Sequence, residues 1–312
     1  MNANAWVITL GAAFAAGTPI VLAALGAILH ERSGVLNLGV EGMMLVGAVS
    51  AFLAADAWGN VWLALGCGVL AGGALSMVHG ALTITMRANQ IVSGLALTLF
   101  GTGLVKYLGE PVSGVKIPAR VVELDVPGLG DLPILGQVLF RRDVLVYATW
   151  VLVVLVSLYI NHTRRGLALR AVGESPATAD AQGISVTGVR YGHVLAGGLF
   201  AGAGGAYQAL ARAPSWNQEF TTDGIGWIAL ALVVFSSWRP GRALCGAVIF
   251  GFAIRSRFTF QAQEITVIPN VVLEMLPYLL TIAVLIVIST GSTRQRLGAP
   301  AALGRPYVRE ER

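Results

Sequence analysis

Two carboxylates stand inside otherwise apolar stretches. Glu41 lies in GVLNLGVEGMMLVGA (34–48) and Glu274 in NVVLEMLPYLL (270–280). An ionisable group at membrane depth is costly, and such groups face a bundle interior or a water-filled cavity. Glu41 therefore either lines or gates a solute path, or clamps a neighbouring helix by accepting its hydrogen bonds. The four-residue spacing from Asn37 to Glu41 predicts that both share one helix face. Gly42, together with Gly34, Gly39 and Gly47, permits a tight crossing or a break in the same stretch. Glu274 precedes Pro277, which removes a backbone hydrogen bond and predicts a kink. Arg255 and Arg257 are the candidate partners of Glu274.

A second polar group opens the stretch NQIVSGLALT (89–98), where Gln90, Ser93 and Thr98 read either as path-lining groups or as helix capping and small-residue packing. Trp216 and Trp227 could offer aromatic faces to a neutral polar solute. Ser93-Gly94 with His79 or His193 would be the raw material of an intramembrane nucleophile, but a Ser-Gly pair in a membrane helix is ordinary packing. His30-Glu31 lacks the second histidine of a zinc-binding HExxH, and no GxxxxGK[ST] phosphate loop occurs, so no metal site and no ATP site of that kind is predicted. Cys67 and Cys245 both lie in apolar segments and read as small buried hydrophobes.

The elements that must position these groups are membrane helices. Hydrophobic residues make up 55% and charged residues 12% of the 312 residues, with mean hydropathy +0.73. A soluble domain carries about 25% charge. The chain is predicted to be an all-α polytopic membrane protein of about nine (8–10) transmembrane helices. The spans fall near 6–29, 35–55, 61–84, 90–108, 143–161, 191–211, 224–238, 243–259 and 271–290. The Gly-rich start of 35–55 suits a broken or re-entrant helix. The pI near 9.6 does not indicate nucleic acid, because the cations sit in short loops where they set orientation.

Between the fifth and sixth spans runs TRRGLALRAVGESPATADAQGISVTGVR (163–190), an unusually long polar break. Ser175 can cap a helix, Pro176 suits its first position, and Gly183 can close its end. A short helix of roughly two turns is therefore predicted, flanked by Arg164, Arg165, Arg170 and Arg190. Segments 30–33, 86–89, 163–190 and 239–242 and the tail from Ser292 together hold 13 of the 21 Lys and Arg. The alternate segments hold Asp56, Glu110, Glu123, Asp125, Asp131, Asp143, Glu219, Asp223 and Glu264. The excess of cations places the N-terminus outside and the C-terminus in the cytoplasm. One membrane domain over 1–291 is expected, with an extracytoplasmic loop at 109–142, a cytoplasmic loop at 163–190 and a cytoplasmic tail at 292–312.

Three segments, GVLNLGVEGMMLVGA (34–48), LALRAVGESPATADAQGISV (167–186) and APAALGRPY (299–307), resemble the permease subunits of ATP-binding-cassette importers for simple sugars and nucleosides. That branch belongs to a wider group with ribose-type and branched-chain amino-acid permeases. The resemblance runs nearly the whole length. It implies a multi-pass protein of the prokaryotic plasma membrane that translocates a nucleoside or simple sugar, with a branched-chain amino-acid permease as the alternative. It also implies a second permease, often a longer sister chain, a cytoplasmic ATPase and an extracytoplasmic solute-binding protein or lipoprotein. This chain would bind no cofactor, since the partner ATPase consumes the ATP. Pro176, Ala177, Thr178, Ala179, Asp180, Ala181 and Gln182, flanked by Glu174, Ser175 and Gly183, then match the coupling helix that enters a cleft on the ATPase. Asn37, Glu41 and Gly42 match the signature near the translocation path. The turn Ser236-Ser237-Trp238-Arg239-Pro240-Gly241 departs from relatives in polarity. A proton-coupled carrier using Glu41 or Glu274 is the rival class.

Overall fold

Helix starts in this chain carry a common signature. The residues just before six helices are Asn60, Asn89, Asp143, Thr163, Ser175 and Ser185. Each side-chain oxygen accepts a first-turn backbone N–H, as N-caps do. The computed structural model describes residues 3–117, 121–125, 128–130, 132–212, 215–217, 222, 224–263, 269–289 and 298–309.

The helices are α1 Ala3–Arg32, α2 Val40–Trp58, α3 Val61–Gly80, α4 Gln90–Gly109, α5 Val144–His162, α6 Arg164–Glu174, α7 Pro176–Ala181, α8 Val186–Tyr207, α9 Ile225–Phe235, α10 Pro240–Ala262, α11 Asn270–Glu274 and α12 Leu276–Ser289. α3 and α8 continue into π-turns at Ala81–Thr85 and Gln208–Arg212. A two-stranded antiparallel ribbon, β1 Glu123–Asp125 with β2 Arg141–Asp143, lies in the 109–142 connection. It is a minor departure from an all-helical reading.

Among the described residues, seven helices are long and apolar enough to cross a membrane. The expected segments 224–238 and 271–290 are shorter as helices. α9 has 11 residues, about 16 Å at 1.5 Å per residue, against a hydrocarbon core of about 30 Å. The last segment divides at Met275 into α11 and the 14-residue α12, with Pro277 at the second position of α12, where its missing N–H costs nothing. Three other boundaries move. His30, Glu31 and Arg32 are the last turn of α1, not a loop. α2 begins at Val40, five residues later than expected. The polar break 163–190 is mostly helical, with α6, α7 and the start of α8 in it.

α1, α2 and α8 form the centre. In α1, 83% of the most apolar 18-residue window is buried, against 28% in α4 and in α5, which therefore lie at the periphery. Small residues allow the central crossings: a Cβ on Gly72 would fall on the α8 backbone at Gly202, and one on Gly205 would overlap the Met44 carbonyl oxygen. Ile20, Leu25, Ile28, Met43 and Met44 fill the space between these helices.

One end of the bundle gathers the C-termini of α1, α3, α5 and α9 and the N-termini of α4, α8 and α10. Trp238 Nε1 donates to Glu31 Oε2 at 2.6 Å, the Leu36 amide donates to Gln90 Oε1 at 2.6 Å, and Thr85 and Tyr191 hydroxyls meet at 2.6 Å. This loop end also carries α6, α7 and residues 298–309. At the opposite end, Asp143 caps α5 and accepts from Tyr207 Oη at 2.7 Å, and buried Trp216 packs on Phe52 with ring centroids 5.0 Å apart. Asp131, Glu219, Asp223 and Glu264, expected at this end, lie outside the described residues.

Replacing Gly205 by alanine should cost about 1–3 kcal/mol through overpacking. It should lower the thermal midpoint of the detergent-solubilised protein. Gly192→Ala, whose Cβ meets nothing within 4 Å, should leave the midpoint unchanged or raise it slightly.

Candidate functional site

The loop end presents one short, fully capped helix. Ser175 Oγ accepts the Thr178 amide at 3.4 Å and meets the Thr178 hydroxyl at 2.8 Å. At the far end Gly183 N donates to Asp180 O at 2.9 Å and Ile184 N to Ala179 O at 3.0 Å, the paired bonds of a Schellman motif. That motif requires a left-handed residue, and Gly183 has φ +80°. Ala179 is buried against Val172 and Val186, with Ile184 and Tyr307 packed on the same cluster. α7 is thus held on one side, while Thr178, Ala177 and Gln182 remain on the surface.

A strap of C-terminal chain fixes this unit to the bundle. Ala302 N donates to Gly173 O at 2.9 Å, and Gly304 N to Gly34 O at 3.2 Å. Ala301 N donates to Glu174 Oε2 at 3.2 Å, and Arg309 Nε lies 3.3 Å from Asp180 Oδ2. Glu174 is therefore a tether for the strap, a role that sequence reading did not assign.

Asn37 and Glu41 do not share a helix face. Gly39 N donates to Asn37 Oδ1 at 2.8 Å, a local Asx turn that competes with helix, so residues 34–39 stay outside α2. Asn37 Nδ2 lies 3.2 Å from His30 Nδ1, and Asn37 is buried. Glu41 reaches instead across to α9. Its Oε2 accepts the Gly226 amide at 2.6 Å, and its Oε1 accepts from the Thr222 hydroxyl. The residue before α9 is Gly224, which has no side chain to cap with. A carboxylate from another helix therefore fills the N-cap position, where unpaired amides and the helix dipole favour an anion.

The other polar candidates form the seam between α4 and residues 36–42. Gln90 accepts from Leu36, Thr98 Oγ1 donates to Leu38 O at 3.1 Å, and Gly42 packs against the α4 backbone at Leu97. Ser93 Oγ sits 3.0 Å from His79 Nδ1, whose Nε2 is 3.1 Å from Leu36 O. This has the contacts of a nucleophile and base, yet His79 is fully buried and Ser93 nearly so, which leaves no room for a substrate carbonyl. Trp227 is 40% exposed. Glu274 pairs with Arg257 at 3.2 Å, the partner anticipated with Arg255. Both border a cleft of about 490 Å³, with Gln208, Arg212 and Tyr278, between α1, α9, α10 and the α11–α12 break. Sequence reading missed Thr222, the Glu31–Trp238 bond and the strap; Glu31 was legible only as an acid one residue from a histidine.

A bundle of long apolar helices with a buried acid and a capped surface helix at one end is the architecture of a polytopic membrane protein. The chain belongs to the family described as branched-chain amino acid transport system / permease component, which matches residues 9–288. It is a permease component and a multi-pass protein of the prokaryotic plasma membrane. Among its relatives, the putative glucose ABC transporter permease protein TsgC13 of Haloferax volcanii is 39% identical over 96% of this chain and 97% of its own. The guanosine ABC transporter permease protein NupQ of Bacillus subtilis is 38% identical over 94% of each. The nucleoside ABC transporter permease protein NupC of Lactococcus lactis is 34% identical over 86% and 88%. No solved structure matches the chain.

Glu41→Ala should leave buried α9 amides unpaired at about 1–3 kcal/mol, with a lower thermal midpoint. Glu41→Gln, which keeps an acceptor oxygen, should recover part of the loss. Equal midpoints for the two variants would exclude the capping role.

Proposed function

We propose that this chain is one half of the translocation pore of an ATP-driven importer for a nucleoside or simple sugar, docked to a separate ATPase through α7. The observation that carries the docking role is a helix of six residues, capped at both ends and presented at the arginine-rich end. A helix that is pinned by Ala179 and by its strap transmits a push instead of absorbing it. Glu174 to Gly183 form the contact: Pro176, Ala177, Thr178, Asp180, Ala181 and Gln182 shape the surface, and Ser175 and Gly183 hold its ends.

Nine crossings, N-terminus outside and C-terminus in the cytoplasm, fit this reading. The chain direction alternates through α1, α2, α3, α4, α5, α8, α9, α10 and α12, with α9 and α12 shorter than a full span, and the Arg-rich face carries α7 and the tail. The solute path runs beside the α9 N-terminus, with Trp227 and Glu274 facing it. Asn37, Glu41, Gly42, Gln90, Ser93 and Thr98 form its buried wall. The partners are a second permease, a sister chain; a cytoplasmic ATPase; and an extracytoplasmic binding protein that supplies affinity. This chain needs no cofactor of its own. The family description favours branched-chain amino acids as a second reading, but the near full-length similarity to glucose, guanosine and nucleoside permeases supports the first.

Ala179→Arg should abolish solute-stimulated ATP hydrolysis by the assembled complex while leaving its membrane assembly intact. Full stimulation in this variant would remove the docking role. Labelled guanosine or glucose, and not leucine, should accumulate in cells that depend on this chain.

A further inference from the structure

The turn Ser236 to Gly241 borders a second basic feature at the loop end. A groove of about 810 Å³ lies between the C-terminal end of α5, the last turn of α1, α6 and the N-terminus of α10. Four guanidinium groups line it, from Arg32, Arg170, Arg239 and Arg242, and among the described residues no carboxylate does. Two acids lie behind it: Glu31, beside Arg32 in sequence, accepts the Trp238 indole N–H, and Glu174, which accepts Ala301 N, offsets part of the charge of Arg32, so two acids stand against four cations. Arg32 Nε and Arg170 Nε are buried without a hydrogen-bond partner. Arg32 and Arg170 are half-buried and Arg239 and Arg242 exposed, and like charges gathered in one groove repel each other unless an anion joins them. α10 adds its positive end, since Pro240 opens the helix and no side chain caps it.

The surroundings say which anion. From Asn161 the exposed face of α5 continues through Leu158, Leu155, Val154 and Val151, and from Arg242 that of α10 continues through Cys245 to Ile249. Both helices therefore lead from the basic groove along apolar faces toward the centre of the membrane. A ligand that fits has a phosphate at one end and hydrocarbon at the other. We infer that the groove binds the phosphate of an anionic phospholipid headgroup, with acyl chains lying along α5 and α10. Basic pockets between membrane helices recognise such headgroups, and guanidinium groups hold phosphate through paired hydrogen bonds. This inference is independent of the transported solute and of α7.

Cys245 lines the groove and is exposed, which gives a direct readout. With Cys67→Ser it becomes the only thiol in the chain. The full-length protein is placed in nanodiscs of phosphatidylcholine alone or with phosphatidylglycerol, and alkylation of Cys245 by N-ethylmaleimide is timed. Phosphatidylglycerol should slow the reaction, and Arg170→Gln with Arg242→Gln should relieve that slowing, by roughly fivefold per guanidinium removed. Equal rates in the two lipids for the otherwise unaltered protein would overturn the inference, whatever the arginine variant does. Glycerol phosphate protecting as well as phosphatidylglycerol would show a soluble-anion site and overturn the lipid assignment. Protection in phosphatidylcholine by added ATPase, with none from phosphatidylglycerol, would show a protein contact and overturn it too.

Discussion

Lipid offers no hydrogen bonds, so every helix that starts or stops at membrane depth must find its partners inside the protein. The described residues include two such starts, and a carboxylate at the first caps the second. α2 begins at Val40 after a largely buried non-helical segment, and α9 begins at Ile225 after a glycine. Glu41, in the first turn of α2, closes the first turn of α9. The bond joins elements 185 residues apart in sequence. It also allows α9 to be short, because its N-terminus can end on a carboxylate instead of continuing to water.

The same constraint bears on the non-helical segment 34–39. Its first amides pair with the end of α1, and side chains pair groups further along. The Leu36 amide goes to Gln90 and the Leu36 carbonyl faces His79, while the Leu38 carbonyl accepts from Thr98. Three side chains from α3 and α4 thus do what a helix would have done internally. Their polarity was visible along the sequence as Asn89 to Thr98, but it reads equally well as a path lining. Only the identity of the partner separates the two readings, and a partner 40 to 60 residues distant leaves no local trace.

What was legible followed from local chemistry. The caps of α7, the break beside Pro277 and the membrane class all come from short-range rules, and the Glu274–Arg257 pair comes from the scarcity of charge. Boundaries failed where tertiary contacts overrode pattern. His30 to Arg32 look like a polar loop, yet Glu31 is buried because the Trp238 indole meets it. Residues 186–190 look like loop too, yet Ser185 caps α8 there and Arg190 is buried. The strap reads from sequence only as a family-like cytoplasmic tail, because backbone bonds to Gly34 and Gly173 have no side-chain signature.

That strap bears on how a push at α7 would reach the membrane. An isolated six-residue helix is marginal and would yield to force. Here its Ala179 is seated on α6 and α8, its Asp180 is held by Arg309, and the strap continues to Gly173 and then to Gly34. Gly34 opens the segment that leads to Asn37 and Glu41, and Glu41 holds α9, which borders the cleft at Glu274. From α7 to α9 every link is a hydrogen bond, an ion pair or a buried contact. A chain of contacts is not itself coupling, but close-packed elements pass displacement on with little loss. The two ends of the proposed mechanism, ATPase contact and solute path, therefore meet through the segment whose backbone Gln90, His79 and Thr98 pair in place of a helix.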